Sequence, residues 1–163
     1  MPELKQEDHF ASAAGRHFRD ADYLRDDGRL PAADHLYGFA AECATKSLLL
    51  RFTDVTMEPK PDEGAPSPKP WAKNPDPDHH RQLIEFGHVN ELVKEVALLA
   101  HGRAGASLHA ALEGDLRVFK KWHVKFRYYD GGYAQADVVT RRRTAAQNIL
   151  TLHEQAQLNR KLP

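Results

Sequence analysis

Gly28-Arg29-Leu30-Pro31-Ala32-Ala33-Asp34-His35-Leu36-Tyr37-Gly38-Phe39-Ala40-Ala41-Glu42-Cys43-Ala44-Thr45-Lys46-Ser47-Leu48-Leu49-Leu50 is the stretch that decides the fold class. Pro31 suits the first turn of a helix, where a missing N–H costs nothing. Ala33, Leu36, Ala40, Cys43, Ser47 and Leu50 then recur at the three-and-four spacing of one helix face, which predicts a helix over 31–52. Gly38, Ala40, Ala41 and Ala44 let a neighbouring helix approach closely, and Leu48 and Leu49 widen the apolar surface. Glu42 and Lys46 stand one turn apart in the favourable order, worth a few tenths of a kcal/mol if exposed. Upstream, Phe10, Ala14, His17, Ala21 and Leu24 mark a helix over 3–27, and Gly28 is placed to end it as a C′ residue. The two form an αα-hairpin with a short connection.

Working outward, the helical pattern stops at Thr53. Seven of the ten prolines fall between Pro59 and Pro77, and proline removes donors and restricts its predecessor, so no helix persists over 53–80. Neither flank is large enough to be a domain alone. We therefore read 53–80 as an extended Pro-rich loop inside a single domain spanning 1–163, disordered or draped on the surface rather than a lid, with Trp71 placed to tack it down. Leu83, Ile84 and Phe86 suggest a short turn before Gly87. Val89, Leu92, Val93, Val96 and Leu99 predict a third helix over 90–100, closed by Gly102. Leu108, Leu112, Leu116 and Phe119 predict a fourth over 106–124. Asp130-Gly131-Gly132 is a turn signal. Val138, Ala145, Ile149, Leu152 and Ala156 predict a last helix over 133–159. No strand-like alternation of useful length and no repeat is visible. The expected fold is all-α, an up-down bundle of about five helices.

Acidic and basic residues balance at 23 each, so net charge names no partner. The distribution is uneven: 117–143 holds eight basic residues against Asp130 and Asp137, while 1–50 holds nine acidic and six basic. That asymmetry permits an anionic ligand towards the C-terminal half, although a solvated basic helix face has the same composition. Cys43 stands alone, so no disulfide forms within the chain, which suits a reducing compartment. The first residues are acidic and lack an apolar secretory core, and no apolar run approaches the roughly 20 residues that span a bilayer. A cytoplasmic protein without a membrane partner is expected.

The ten histidines do not converge on a metal pattern. Glu85-x-x-His88 occurs once, whereas a di-iron bundle needs that pattern twice plus two further glutamates, so neither metal nor cofactor is expected. Cys43, on an alanine-rich face, reads as a small core residue rather than a nucleophile. Neither a Gly-rich phosphate loop nor a serine elbow is present.

The quoted stretch resembles the second helix of HEPN domains, in which a GR-x-x-x-A segment leads into G-(aromatic)-A-x-E-x-x-x-K-x-L-L. The preceding His17-Phe18-Arg19-Asp20-Ala21-Asp22-Tyr23-Leu24 and the later His88-x-x-x-Leu92 are similar to the same family, and the resemblance covers most of the chain outside the Pro-rich insertion. It implies a four- or five-helix bundle that often dimerises, with many members acting as metal-independent endoribonucleases, some of them toxins working against an antitoxin partner. Their motif is Arg, four to six residues, then His, near the end of the bundle. Here Arg117-Val118-Phe119-Lys120-Lys121-Trp122-His123 offers it with five intervening residues, valine standing where a polar follower is usual. In that role Arg117 would hold the phosphate and its developing charge. His123 would move protons to and from the ribose hydroxyl and the leaving oxygen.

The spacing alone does not bring the two together. In an uninterrupted helix six residues turn through about 240°, so Arg117 and His123 share a face only if the helix breaks or a partner chain contributes. Arg29-x5-His35 satisfies the same pattern. Trp122-His123-Val124-Lys125-Phe126-Arg127-Tyr128-Tyr129-Asp130 also resembles a W-x-x-x-x-R-Y ending of HEPN-like proteins whose ribonuclease motif is absent or altered. There Lys120, Lys121, Trp122, Lys125, Arg127 and Tyr128 would stack bases and meet phosphates. Equally, the aromatics would be core residues with snorkelling cations. The expectations are thus an RNA-directed ribonuclease or, without catalysis, a module binding a nucleotide, an RNA or a nucleotidyltransferase partner. A purely structural dimerisation bundle is the third.

Overall fold

The computed structural model describes residues 2–163. It is mostly helical: α1 (Gln6–Asp26), α2 (Leu30–Phe52), α3 (Val89–Leu98), α4 (Arg103–Arg117) and α5 (Ala136–Asn159). α1 packs along α2, and α5 covers another side of it. α2 is consequently buried nearly all round. Every residue from Ala40 to Leu49 is buried, including Glu42, Thr45, Lys46 and Ser47. The sequence pattern gave α2 one inward face, but a helix this rich in alanine and leucine has no side that needs water. Phe10, Phe18 and Leu24 of α1 pack on this core, and Leu108, Leu112, Leu116 and Ile149 fill it from α4 and α5.

Three expectations change. The segment around Leu83 is a strand, not a turn. Trp71–Lys73 (β1) pairs antiparallel with Leu83–Glu85 (β2), in the register Trp71↔Glu85, Ala72↔Ile84 and Lys73↔Leu83. Each strand has three residues, too few for alternation to be visible between prolines. Trp71 ties the 53–80 segment to itself, its Nε1–H donating to the Glu58 carbonyl at 2.8 Å and its backbone pairing with Thr56.

Second, the third helix gives way to a 3₁₀ turn over Leu99–His101, and α4 begins at Arg103, ahead of the expected position. Gly105 allows this tight corner, because a Cβ there would collide with the Leu99 backbone.

Third, α4 stops at Arg117 instead of continuing to residue 124, and α5 starts at Ala136. Beyond Leu116 the backbone bonds shorten to i→i−3, from Val118 to Asp115, Phe119 to Leu116, Lys120 to Arg117 and Trp122 to Phe119. A period near three sets Phe119 and Trp122 on one side, and both are buried. The Trp122 indole then lies across α2, donating Nε1–H to the Asp34 carbonyl at 3.1 Å. It occupies the space where Gly38 lacks a side chain: a Cβ built there would sit 2.6 Å from Cζ2 and closer still to Cε2 and Nε1.

Gly38→Ala would gain about 1 kcal/mol of helix propensity but overpack a filled core, at a cost of about 1–3 kcal/mol. With three indole atoms inside contact distance the upper figure governs. Urea unfolding is expected to show a net loss of roughly 1–2 kcal/mol, and a variant as stable as wild type would remove the indole contact from this account.

Candidate functional site: a basic cleft beside an aromatic one

The break after α4 distributes the 117–128 segment over three environments. Arg117, Lys120 and Lys121 line a cleft of about 650 Å³ together with Val118, Phe126, Tyr133, Val138, Arg141 and Arg142. Five cations converge there, and no acidic residue lines it. Arg117 is partnered by Glu113 one turn back, both on the surface. Arg141 reaches Asp137 only at 3.8 Å. Arg142 is the fixed element of the set: it is 5% exposed, and its Nη1 meets the carboxylate of Asp34, itself inaccessible, at 2.5 Å. Burial raises the Asp34 pKa against the pull of Arg142. One Asp34 oxygen and the Arg142 Nε have no hydrogen-bond partner. Breaking such a buried pair by removing one member typically costs about 3–5 kcal/mol, so Arg142 belongs to the frame that shapes the cleft.

Trp122 is 1% exposed, so it offers no face to a ligand. Of the two roles open to it, it takes the core one, stacked on His35 at 5.2 Å between centroids and edge-on to Phe39. His123 stands at the start of a 3₁₀ turn over Val124–Tyr128 and does not line the basic cleft. Its Nδ1 accepts the Lys125 N–H at 3.1 Å, so the neutral ring carries its proton on Nε2. Lys125 is exposed and outside the cleft. Tyr128 is 73% exposed, with the Arg127 guanidinium 4.8 Å from its ring centroid.

Arg127 instead lines a second cleft, of about 420 Å³, with Pro31, Ala32, His35, Leu36, Phe126, Tyr129 and Tyr133. The Asp130-Gly131-Gly132 turn connects its Tyr129 and Tyr133. Gly131 has φ +89°, and a Cβ there would press to 2.6 Å from Pro31 Cγ, so glycine is required by both backbone and space. Phe126 and Tyr133 belong to both clefts, their rings 4.2 Å apart. The sequence reading missed Tyr129, Tyr133, Arg141, Arg142 and His35 as neighbours of this region. The arginine run had been visible only as part of the charge asymmetry.

Two of the stretches that carried the family resemblance touch one another. Glu42 of α2 accepts hydrogen bonds from Lys46 Nζ at 3.1 Å, His88 Nδ1 at 3.1 Å and the Val89 N–H at 3.0 Å, at the start of α3. Burial pushes the Glu42 carboxyl up, but the His88 hydrogen bond and the Lys46 charge outweigh it and hold the pKa below the usual range. This is a structural clamp on the first turn of α3.

Another buried cluster looks catalytic and is not. Ser47 Oγ lies 2.8 Å from His153 Nε2, but its hydroxyl donates to the Glu7 carbonyl at 2.8 Å and Arg51 Nε donates to it at 3.3 Å. With its proton directed at a carbonyl and His153 donating, the hydroxyl is not activated as a nucleophile. Among the described residues no group of three or more His, Cys, Asp or Glu is arranged to hold a metal, and no helix is long and apolar enough to cross a membrane. No family model matches the chain, and neither curated proteins nor solved structures give a match.

Burial, reinforced by Arg51, lowers the His153 pKa to about 4. The unfolded chain takes up this proton near 6.5, so the folded state loses stability as pH falls through that window, by up to roughly 3 kcal/mol. Burial lowers His17 and His35 too, in the same sense. Glu95 works in the opposite direction: burial raises its carboxyl to about 7, so it adds stability as pH falls towards the ordinary carboxyl value. Total stability therefore conceals the histidine, and a difference reveals it. His153→Gln is expected to gain on wild type steadily as pH is lowered from 7 to 4 in denaturant titrations; parallel curves would contradict the assignment.

Proposed function

We propose that the chain is an HEPN-like up-down bundle directed at RNA, and that it contacts RNA through the cleft lined by Arg117, Lys120, Lys121, Arg141 and Arg142. The observation that carries this reading is the convergence of five cations on one concavity with no lining carboxylate. The flanking Tyr128 and Tyr129 stay exposed. Cations that track a backbone and aromatic faces that accept bases are the usual parts of a single-strand site. The first sequence expectation, catalysis by Arg117 and His123, keeps one specific support. α4 ends at Arg117, so the two residues are no longer held apart by one continuous helix, and the bond to His123 Nδ1 leaves Nε2 as the ring nitrogen open to a ligand. In that version two copies meet as a homodimer and supply a paired, metal-independent endoribonuclease site of toxin type. Without it, the protein is a non-catalytic module that binds RNA or a nucleotide, alone or beside a nucleotidyltransferase or antitoxin.

Anisotropy with a labelled single-stranded oligoribonucleotide tests the reading. Affinity is expected to fall with salt, and Lys120→Ala and Lys121→Ala are each expected to flatten the log–log slope by about 0.7. Absence of binding at low salt would remove RNA as the ligand and leave the nucleotide-binding, partner-binding and structural-dimerisation alternatives. Incubation of RNA in EDTA separates the versions: the catalytic one requires cleavage by wild type that is lost in His123→Ala and Arg117→Ala. Equal activity in all three removes those residues from the mechanism.

A further inference from the structure

The aromatic cleft is not needed to explain attraction to a polyanion, yet it is built with some care. His35 stacks on Trp122 and meets Phe39 edge-on at 4.8 Å. Its Nδ1 is buried without a partner, which leaves Nε2 as the ring nitrogen able to face the cleft. Tyr129 is 60% exposed at the rim, and Phe126 lies 5.6 Å from it. Arg127 supplies the one charge of the lining. A concavity of about 420 Å³ walled by rings, with one imidazole and one guanidinium at hand, suits a flat heteroaromatic group. What lies next door narrows the choice. The Phe126–Tyr133 pair lines both this cleft and the basic one, so a single short ligand can seat one group in each.

Resting on the reading above, we infer that the His35–Arg127–Tyr129 cleft is a base-binding subsite. One unpaired nucleobase of a single-stranded RNA enters it while the adjoining phosphates lie on Lys120 and Lys121. The base stacks against Tyr129 and the Phe126–Tyr133 wall, with Arg127 over an edge or face. His35 Nε2 and the guanidinium are the groups within the lining that can hydrogen-bond its edge. A duplex cannot use the cleft, because its bases are already paired and stacked.

The test compares three labelled ligands of equal length: single-stranded oligoadenylate, an abasic oligomer and oligoadenylate annealed to its complement. Wild type is expected to bind the single strand at least about fivefold more tightly than the abasic oligomer, the usual worth of one base–aromatic stack, with the duplex no better than the abasic one. Tyr129→Ala, a surface change, is expected to erase that difference, and Tyr129→Phe to keep it. The double variant Lys120→Ala with Lys121→Ala is expected to weaken single-strand and abasic binding by similar factors. If wild type binds the oligoadenylate and the abasic oligomer equally, or if Tyr129→Ala leaves the difference intact, the base subsite is wrong while the RNA reading survives. If neither oligomer binds at low salt, both fall.

Discussion

The Trp122 indole lying on α2 at Gly38 is the contact on which the C-terminal half depends. It has little freedom: Nε1 is tied to the Asp34 carbonyl, one face is against His35, and Gly38 leaves out a Cβ that would collide with the ring. To reach this position the chain must leave the α-helical path after Arg117 and tighten to a 3₁₀ period. Everything next in sequence is then laid over the start of α2. The basic residues before the tryptophan point into one cleft, and the aromatic residues after it form the other. Asp34 serves twice, accepting from the indole through its carbonyl and fixing Arg142 through its carboxylate. The two halves of the surface therefore share one buried anchor.

α1 and α5 are joined by a separate set of charges. Asp22 takes two hydrogen bonds from the Arg143 guanidinium, at 2.8 and 2.9 Å, and one from the Tyr37 hydroxyl of α2. The Arg143 hydrogen bond, helped by Tyr37 against partial burial, lowers the Asp22 pKa. Three helices thus meet at one carboxylate. Such geometry fixes rotation about the helix axes in a way that a greasy seam does not, since apolar contacts are non-directional.

Helical periodicity made the five helices visible, and the turn residues Gly28, Gly102 and Gly131 marked breaks between them. The sequence could not show where α4 ends, because Leu108, Leu112, Leu116 and Phe119 continue a helical rhythm up to the residue before Lys120. Whether Trp122 then follows α-helical or 3₁₀ spacing depends on a glycine some eighty residues earlier, which no local window contains. The strands escaped for a different reason: three-residue ladders carry too little pattern. Of the site residues named from sequence, Arg117, Lys120 and Lys121 come together and Arg127 sits next door, whereas Trp122 is core and His123 stands apart. Charge type was legible, but convergence was not. It depends on α5, whose Arg141 and Arg142 arrive from beyond the turn.

The Glu42 clamp bears on what the proline-rich segment is free to be. The chain leaves α2 at Thr53, whose Oγ1 caps the Leu49 carbonyl at 2.6 Å, and returns where Glu42 holds His88 and Val89. Both points of departure and arrival are thus fixed by the same helix, three turns apart. Parts of the path between them are not free: Val55, Trp71 and Ala72 are buried and β1 is paired with β2. The stretch 61–66 is exposed throughout, and lengthening a flexible connection twofold costs only about 0.6 kcal/mol. There the bundle would tolerate another length or another sequence, as a frame tolerates a different panel.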